Sequence, residues 1–496
     1  MNHILLFGAG KSATVLIHYL MQLSAEKNWM VTIADSNATL LSEKVIPNEL
    51  IHSEIINIED TQDRQALIEQ ATVVISMMPP SLHYLIATDC IALKKHLLTA
   101  SYIDEKIKAN AATIKENNLL FLCEMGLDPG IDHMSAMKLI DEIHAKGGII
   151  TSFKSHCGGL IAPESDNNPW HYKISWNPRN IILAGKAGAT YRSEQKNISV
   201  TYEDLFNTKN IIETPNGINY AYYANRDSLS YIPLYGLEQT HEFLRTTLRH
   251  PEFVLGWKNI IDLKLTNEEA VYETNGMTIA EFFKVHFKKY GFEQWIAELI
   301  DKKLSLTHQM MEEITNWMKV EEQASEVGET VNEEFLSVDE QGNLNSSNIN
   351  VSAANLANNI HEVNVSLQQL FFLGLEDETL INKGLCSAAD ILQMILEKKL
   401  SLEPSDKDLV VMMHEIEYTL NNQPHKITST LELKGENSKL TAMAKTVGLP
   451  LGIAAKLIVE NKINCTGLHI PTIKEIYKPV LEALKLEGIE FIEQEH

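Results

Sequence analysis

Cysteine is scarce in this chain, and basic residues are outnumbered. Cys90, Cys123, Cys157, Cys386 and Cys465 are far apart and form no CxxC pair. An odd, scattered set argues against a disulfide framework or a cysteine-based zinc site and suits a reducing compartment. Lys and Arg number 42 against 66 Asp and Glu, a net charge of -24. Neither nucleic acid nor an anionic membrane is therefore an expected partner. No HExxH or comparable ligand spacing occurs, so no metal is expected. No run of about 18 apolar residues is evident, which argues against a membrane span. The first strand pattern begins near residue 3, leaving no room for a secretory leader. A cytoplasmic protein is the expectation.

What is present is a 496-residue chain, 44% hydrophobic and 22% charged, enough for two or three globular domains. Short apolar runs at Ile4–Phe7, Met30–Ala34, Ile55–Ile58, Val73–Met77, Leu97–Ala100 and Leu119–Leu122 alternate with helical patterns, the first from Lys11 to Ala25. That alternation predicts an α/β fold with a doubly wound parallel sheet, a Rossmann domain over residues 1–128 completed by 440–496. Gly- and Asn-Pro-punctuated sequence over 129–255, together with 400–440, reads as an α/β substrate domain. Within it a helix is expected over Glu238–Leu248, and strands over Leu409–Tyr418 and Lys426–Leu433. Residues 256–399 read as a helical insertion, with helices at Ile279–Tyr290 and Phe292–Trp317. Its acidic, then Asn/Ser-rich segment 321–359 is expected to be solvated and partly mobile.

Gly8-Ala9-Gly10-Lys11-Ser12-Ala13 is a GxGxxA run between a strand and a helix. The first glycine permits a tight turn, the second lets a pyrophosphate approach the backbone, and Ala13 allows close packing. Asp35 follows the second strand, where a carboxylate can accept both ribose hydroxyls of NAD and repel the 2′-phosphate of NADP. Capping a turn is its structural alternative. NAD is favoured over NADP, which Lys11 leaves open by its reach to a phosphate. Ser76, Met77 and Met78 end the fourth strand, at the edge where such sheets bind ligands.

Further on stand Thr99-Ala100-Ser101-Tyr102, Glu124-Met125-Gly126-Leu127-Asp128-Pro129-Gly130-Ile131-Asp132-His133 and Cys157-Gly158-Gly159-Leu160. Asn168-Pro169, Tyr172-Lys173, Ser175-Trp176, Asn225-Arg226-Asp227-Ser228, Thr247-Leu248-Arg249 and Thr446-Val447-Gly448-Leu449-Pro450 follow. In order and spacing these pieces resemble the saccharopine dehydrogenase family of the glutamate-forming type, over roughly residues 1–255 and 405–490. The resemblance implies oxidation of saccharopine to 2-aminoadipate 6-semialdehyde and glutamate, or the reverse, in lysine metabolism. It implies substrate contacts at Ser101, Tyr102, Asp128, Arg226, Thr247, Leu248 and Arg249. The two arginines match a substrate with three carboxylates, since guanidinium binds carboxylate bidentately.

Such a reaction needs a group that titrates near neutrality. Asp128 and Tyr102 are the favoured polar pair, with Cys157 lining the site; His156 and His133 are further candidates. For His133 a satisfied core histidine is the better expectation, and for Asp132 a helix cap. A related secondary-amine dehydrogenase of the carboxynorspermidine type and a non-catalytic NAD(H)-binding protein are the alternatives. A homodimer is compatible with all of this.

Overall fold

A computed structural model describes the backbone of every residue except 208, 216, 328–333 and 339–343; side chains are described for these apart from 316, 317 and 319–353. The described residues form two compact units. One comprises Met1–Asp166, Tyr172–His250 and Leu400–His496, the other Asn167–His171 and Pro251–Lys399.

The first unit carries both large sheets. Short runs rich in Ile, Leu and Val form β1 (His3–Phe7), β2 (Met30–Asp35), β3 (Ile51–Ile55), β4 (Val73–Ser76), β5 (His96–Thr99) and β6 (Leu120–Leu122). They lie parallel in the order β6-β5-β4-β1-β2-β3, and the C-terminal strand Gly467–His469 extends the sheet past β6. Helices on both faces leave β1 and β4 wholly buried, as parallel strands require. The strand expected over Ile55–Ile58 lies earlier. Polar His52, Ser53 and Glu54 pair with β2, while Ile56 and Ile58 turn into the core beneath. Strand order reverses at the β1/β4 boundary, so the carboxyl ends of these two strands frame a crevice.

Helix α1 (Thr14–Lys27) follows β1, α2 (His83–Ala92) follows β4, and α3 (Ile131–Ala145) follows β6. The later helix Ala442–Val459 closes one side of α1. A Cβ on its Gly448 would stand 2.9 Å from Leu16 Cβ, and one on Gly452 2.6 Å from Tyr19 Cδ1. Contrary to the expected lack of long apolar runs, this helix is apolar and long enough to cross a membrane, yet 78% of it is buried inside the protein. It is a core helix by position.

The second sheet is mixed. Its centre is β7 (Ile149–Ile161), β8 (Glu242–Arg249), β9 (Asp408–Leu420) and β10 (Gln423–Lys434), in the order β8-β7-β9-β10. Ile211–Glu213 and Asn219–Ala224 lie outside β8, and Ile492–Glu495 lies outside β10. Residues 440–496 are therefore divided between the two sheets. The helix expected over Glu238–Leu248 is a strand, β8, paired in parallel with β7. Glu-Phe-Leu-Arg-Thr-Thr-Leu-Arg has no clean period of its own, and pairing with β7 decides the outcome over local propensity. Asp408 at the start of β9 ties this sheet to the first by accepting the Ala442 and Met443 N–H groups at 2.6 and 2.9 Å.

In the second unit, α4 (Ile279–Tyr290) begins with a capping box between Thr278 and Glu281. Two long helices follow, α5 (Trp295–Val327) and α6 (Ile349–Leu373). Between them Glu334–Val338 and Leu344–Asn348 pair antiparallel. Of the segment expected to be mobile, residues 328–333 and 339–343 lie outside the described residues.

Candidate active site

At the carboxyl end of β1 the chain turns at Gly8, with φ +102° and space for a Cβ only 2.8 Å from Met77 O. Only glycine fits there. A Cβ on Gly10, by contrast, would meet nothing within 4 Å, so the turn is open to a ligand where the second glycine stands. Lys11–Ala13 make one 3-10 turn before α1, and helix N-termini offer N–H groups to phosphate. Ala13 is buried, and Met77 N–H bonds to Phe7 O at 2.8 Å, fixing β4 against the turn. Met78 is half-buried just beyond it. These features fit the pyrophosphate of a dinucleotide.

Asp35 takes its structural alternative. Its Oδ2 accepts the Ala9 N–H at 2.6 Å and its Oδ1 the Asn37 N–H at 2.8 Å, bracing the glycine turn. Beside it, Lys44 Nζ donates to Ala9 O and Gly10 O at 2.7 Å each. Burial lowers the Lys44 pKa, with Asp35 opposing.

From this edge a hydrogen-bonded chain leads inward. Ser76 Oγ lies 2.7 Å from His83 Nδ1, and His83 Nε2 lies 2.7 Å from Ser101 Oγ. Burial lowers the His83 pKa to about 4, so the ring is neutral and one nitrogen donates while the other accepts. Ser76 and Ser101 consequently play opposite roles toward it.

Ser101 borders an ionised cluster. Asp128, joined to Pro129 by a cis peptide bond, stands with Oδ1 2.6 Å from Arg245 Nη2, and the same nitrogen is 2.7 Å from Asp132 Oδ2. Asn225 Nδ2 approaches Asp128 Oδ2 at 3.3 Å. The Arg245 guanidinium lies 4.5 Å over the Tyr231 ring; its side chain is 1% exposed, and its Nε and Nη1 have no hydrogen-bond partner among the described residues. Burial lifts the Asp128 carboxyl to about 6, against the pull of Arg245. Asp132 is more deeply buried, but His133, Arg245 and the Gly130 N–H hold it below the usual range. Asp132 is also the expected cap, accepting Gly130 N–H at 2.6 Å. Two adjacent carboxylates are thereby driven apart in acidity.

His133 is a core histidine held by Tyr235 Oη at 2.6 Å and Glu124 Oε2 at 2.9 Å. Burial, then Asp128, pushes the Tyr102 hydroxyl pKa upward. Burial and the same carboxylate push the Cys157 thiol up, so both groups stay protonated.

Side chains alternate along β8. Arg245, Thr247 and Arg249 share the face of Cys157, which pairs with Thr247. Leu248 is on the opposite face, packed with Leu160, Tyr220, Leu409 and Val411. His156 is there too, 2.7 Å from Thr246 Oγ1 and 3.3 Å from Glu415. Both side chains therefore lie on the face opposite Cys157. Arg226 is exposed, 4.9 Å over the Tyr102 ring. Arg249 is buried, with Nη1 donating to Leu248 O at 2.8 Å and its guanidinium 5.3 Å over Tyr172, so part of its fork is already engaged by backbone. Arg245, His83, Tyr231 and Lys44 were missed by sequence reasoning. The Arg245 signal was present in the period-two run Phe243, Arg245, Thr247, Arg249.

The family model for the saccharopine dehydrogenase NADP binding domain matches residues 4–122, and that for the saccharopine dehydrogenase C-terminal domain matches residues 126–489. The chain is 32% identical over 449 residues to an alpha-aminoadipic semialdehyde synthase of Arabidopsis thaliana, covering 88% of this chain and 38% of that protein. It spans less than half the length of the semialdehyde synthases it matches. It is 28% identical over 503 residues to the saccharopine dehydrogenase [NADP(+), L-glutamate-forming] of Schizosaccharomyces pombe, covering 100% of this chain and 99% of that one. Among solved structures, the apo histidine-tagged saccharopine dehydrogenase (L-Glu forming) from Saccharomyces cerevisiae superimposes with a TM-score of 0.75 at 26% identity, over 100% of both chains.

Proposed function

The chain belongs to the saccharopine dehydrogenase family, and on that premise we propose that it oxidises saccharopine with a nicotinamide dinucleotide and water. The products are L-glutamate and 2-aminoadipate 6-semialdehyde, and the reverse reaction uses the same site. The observation that carries this is Asp128. It is a half-buried carboxyl lifted to about 6, close enough to Tyr102 to act on its hydroxyl and held by Arg245 on the face of β8 that also carries Thr247 and Arg249.

When bound, the cofactor accepts hydride from the carbon bearing the secondary amine. Gly8, Gly10 and the first turn of α1 hold its pyrophosphate, and Ser76, Met77 and Met78 line its far end. Asp128, ionised above about pH 6, takes the amine proton. Arg245 keeps Asp128 and Asp132 compatible in one buried site. Tyr102 stays protonated and donates a hydrogen bond to substrate, and Ser101 Oγ is aimed by His83. Arg226 and Arg249 receive substrate carboxylates, with Thr247 and Cys157 lining the wall. No covalent step at Cys157 is required.

The cofactor we assign is NADP rather than the NAD expected from Asp35. Asp35 is committed to the Ala9 and Asn37 N–H groups, Lys44 supplies a cation beside it, and the matching nucleotide domain is an NADP-binding one. Saccharopine assayed with NADP and NAD in parallel tests both claims. Saccharopine-dependent reduction, faster with NADP and with that preference reduced in Lys44→Met, is expected. Reduction that ignores saccharopine would defeat the proposal.

A further inference from the structure

Three side chains from separate elements form one polar chain, and a count of its hydrogens gives it a direction. Ser76 ends β4, His83 opens α2 and Ser101 follows β5. Both contacts to the ring are 2.7 Å, Ser76 Oγ on Nδ1 and Ser101 Oγ on Nε2. A neutral imidazole brings one hydrogen and each hydroxyl one more. The two bonds use two of these three hydrogens, and the direction of the chain decides which is spare.

If Ser101 donated to Nε2, Nδ1–H would donate to Ser76 and the Ser76 hydrogen would be spare. Ser76 is 0% exposed, and its hydroxyl has no partner but His83 among the described residues. A buried donor without an acceptor carries its full desolvation penalty. In the other direction Ser76 donates to Nδ1, Nε2–H donates to Ser101, and the spare hydrogen belongs to Ser101. That residue is half-buried, so its hydrogen is available to a ligand. Thr99 Oγ1 lies 3.5 Å from Nδ1 and 3.4 Å from Nε2, too evenly placed to favour either direction. The Ser101 backbone is pinned as well: its N–H donates to Thr99 Oγ1 at 3.2 Å and its carbonyl accepts the Glu124 N–H at 3.0 Å. Only the hydroxyl is left to be oriented, and the ring orients it. On the saccharopine reading above, the substrate groups that require a donor are its carboxylates. Resting on that reading, we propose that His83 is a positioning residue that fixes Ser101 as a hydrogen-bond donor to a substrate carboxylate.

Nitrogen NMR of the ligand-free full chain, isotope-labelled at histidine, tests the direction. His83 is expected to carry its hydrogen on Nε2 near neutral pH. Its signal is the one lost in His83→Gln or, if that variant does not fold, the one moved in Ser101→Ala. A ring protonated on Nδ1 overturns the proposal. Kinetics test the consequence, since a contact held alike in ground and transition states acts on KM. Ser101→Ala is expected to raise the saccharopine KM by about tenfold or more with kcat little changed. In a His83→Leu background of unchanged circular dichroism, the same substitution is expected to raise KM by less than about threefold. Equal increases in the two backgrounds overturn the proposal, because a histidine that only packs leaves the Ser101 effect intact. A wild type that does not turn over saccharopine defeats the functional reading and the carboxylate with it. An Nδ1 tautomer in an active enzyme defeats this proposal alone.

Discussion

Arg245 serves two carboxylates with one nitrogen, and the site depends on it. Removing a charge from a buried pair leaves its partner uncompensated, which costs about 3–5 kcal/mol. Arg245→Leu should lose stability of that order, measured by urea denaturation, whereas Asp132→Asn should lose less because the Gly130 contact survives in part. Asp128 makes a separate prediction. Its carboxyl is lifted to about 6 by burial, so the base is ionised above that pH and protonated below it. For saccharopine oxidation, kcat/KM should rise as pH increases through about 6. Asp128→Asn should flatten that limb and lower the plateau by about 100-fold or more, the usual contribution of a general base. An Asp128→Asn enzyme that keeps the wild-type pH limb would remove Asp128 from this role. Asp128 was legible in the sequence because it stands in a distinctive motif. His83 was not, because its partners Ser76 and Ser101 are brought to it only by adjacent strands β4 and β5.

Among elements, the glycine turn offers the clearest separation of folding from binding. Gly8→Ala places a methyl 2.8 Å from Met77 O at a positive φ, a strain of about 1–3 kcal/mol. It should lower the melting temperature and weaken cofactor binding together. Gly10→Ala meets no protein atom within 4 Å, so it should leave the melting temperature alone and weaken only the cofactor. Calorimetry and nucleotide titration on both variants separate the two effects. Equal losses of stability would contradict the open cradle at Gly10. Most of the parallel strands were readable because each is a short apolar run between helical patterns, β3 with its polar His52, Ser53 and Glu54 being the exception, and α4 matches its expected limits because Thr278 and Glu281 mark its start. β8 was misread as a helix because Phe243, Leu244 and Leu248 also satisfy a helical spacing. Only β7, more than 80 residues earlier in the chain, selects the strand. That misreading hid Arg245, which faces Asp128 only when the period is two.

For the whole molecule, the chain folds the crevice of a parallel sheet and the polar face of a mixed sheet into one unit, built from three separated stretches of sequence. Asp408 capping the helix Ala442–Val459, and that helix packing on α1 through Gly448, join the two sheets. Neither link has a local signal, because Asp408 meets the Ala442 N–H 34 residues further on and Gly448 meets Leu16 from the opposite end of the chain. Asp35 likewise could not be assigned from its position after β2 alone, since its carboxylate also takes the Ala9 N–H from 26 residues earlier in the chain. The central claim is that this unit oxidises saccharopine at the lysine-derived carbon of its secondary amine, so that the nitrogen leaves with glutamate. The most direct measurement is product analysis during NADP reduction by saccharopine. The account predicts glutamate and NADPH appearing in equal amounts, with no free lysine. Lysine and 2-oxoglutarate in place of glutamate, or no product at all, would contradict it.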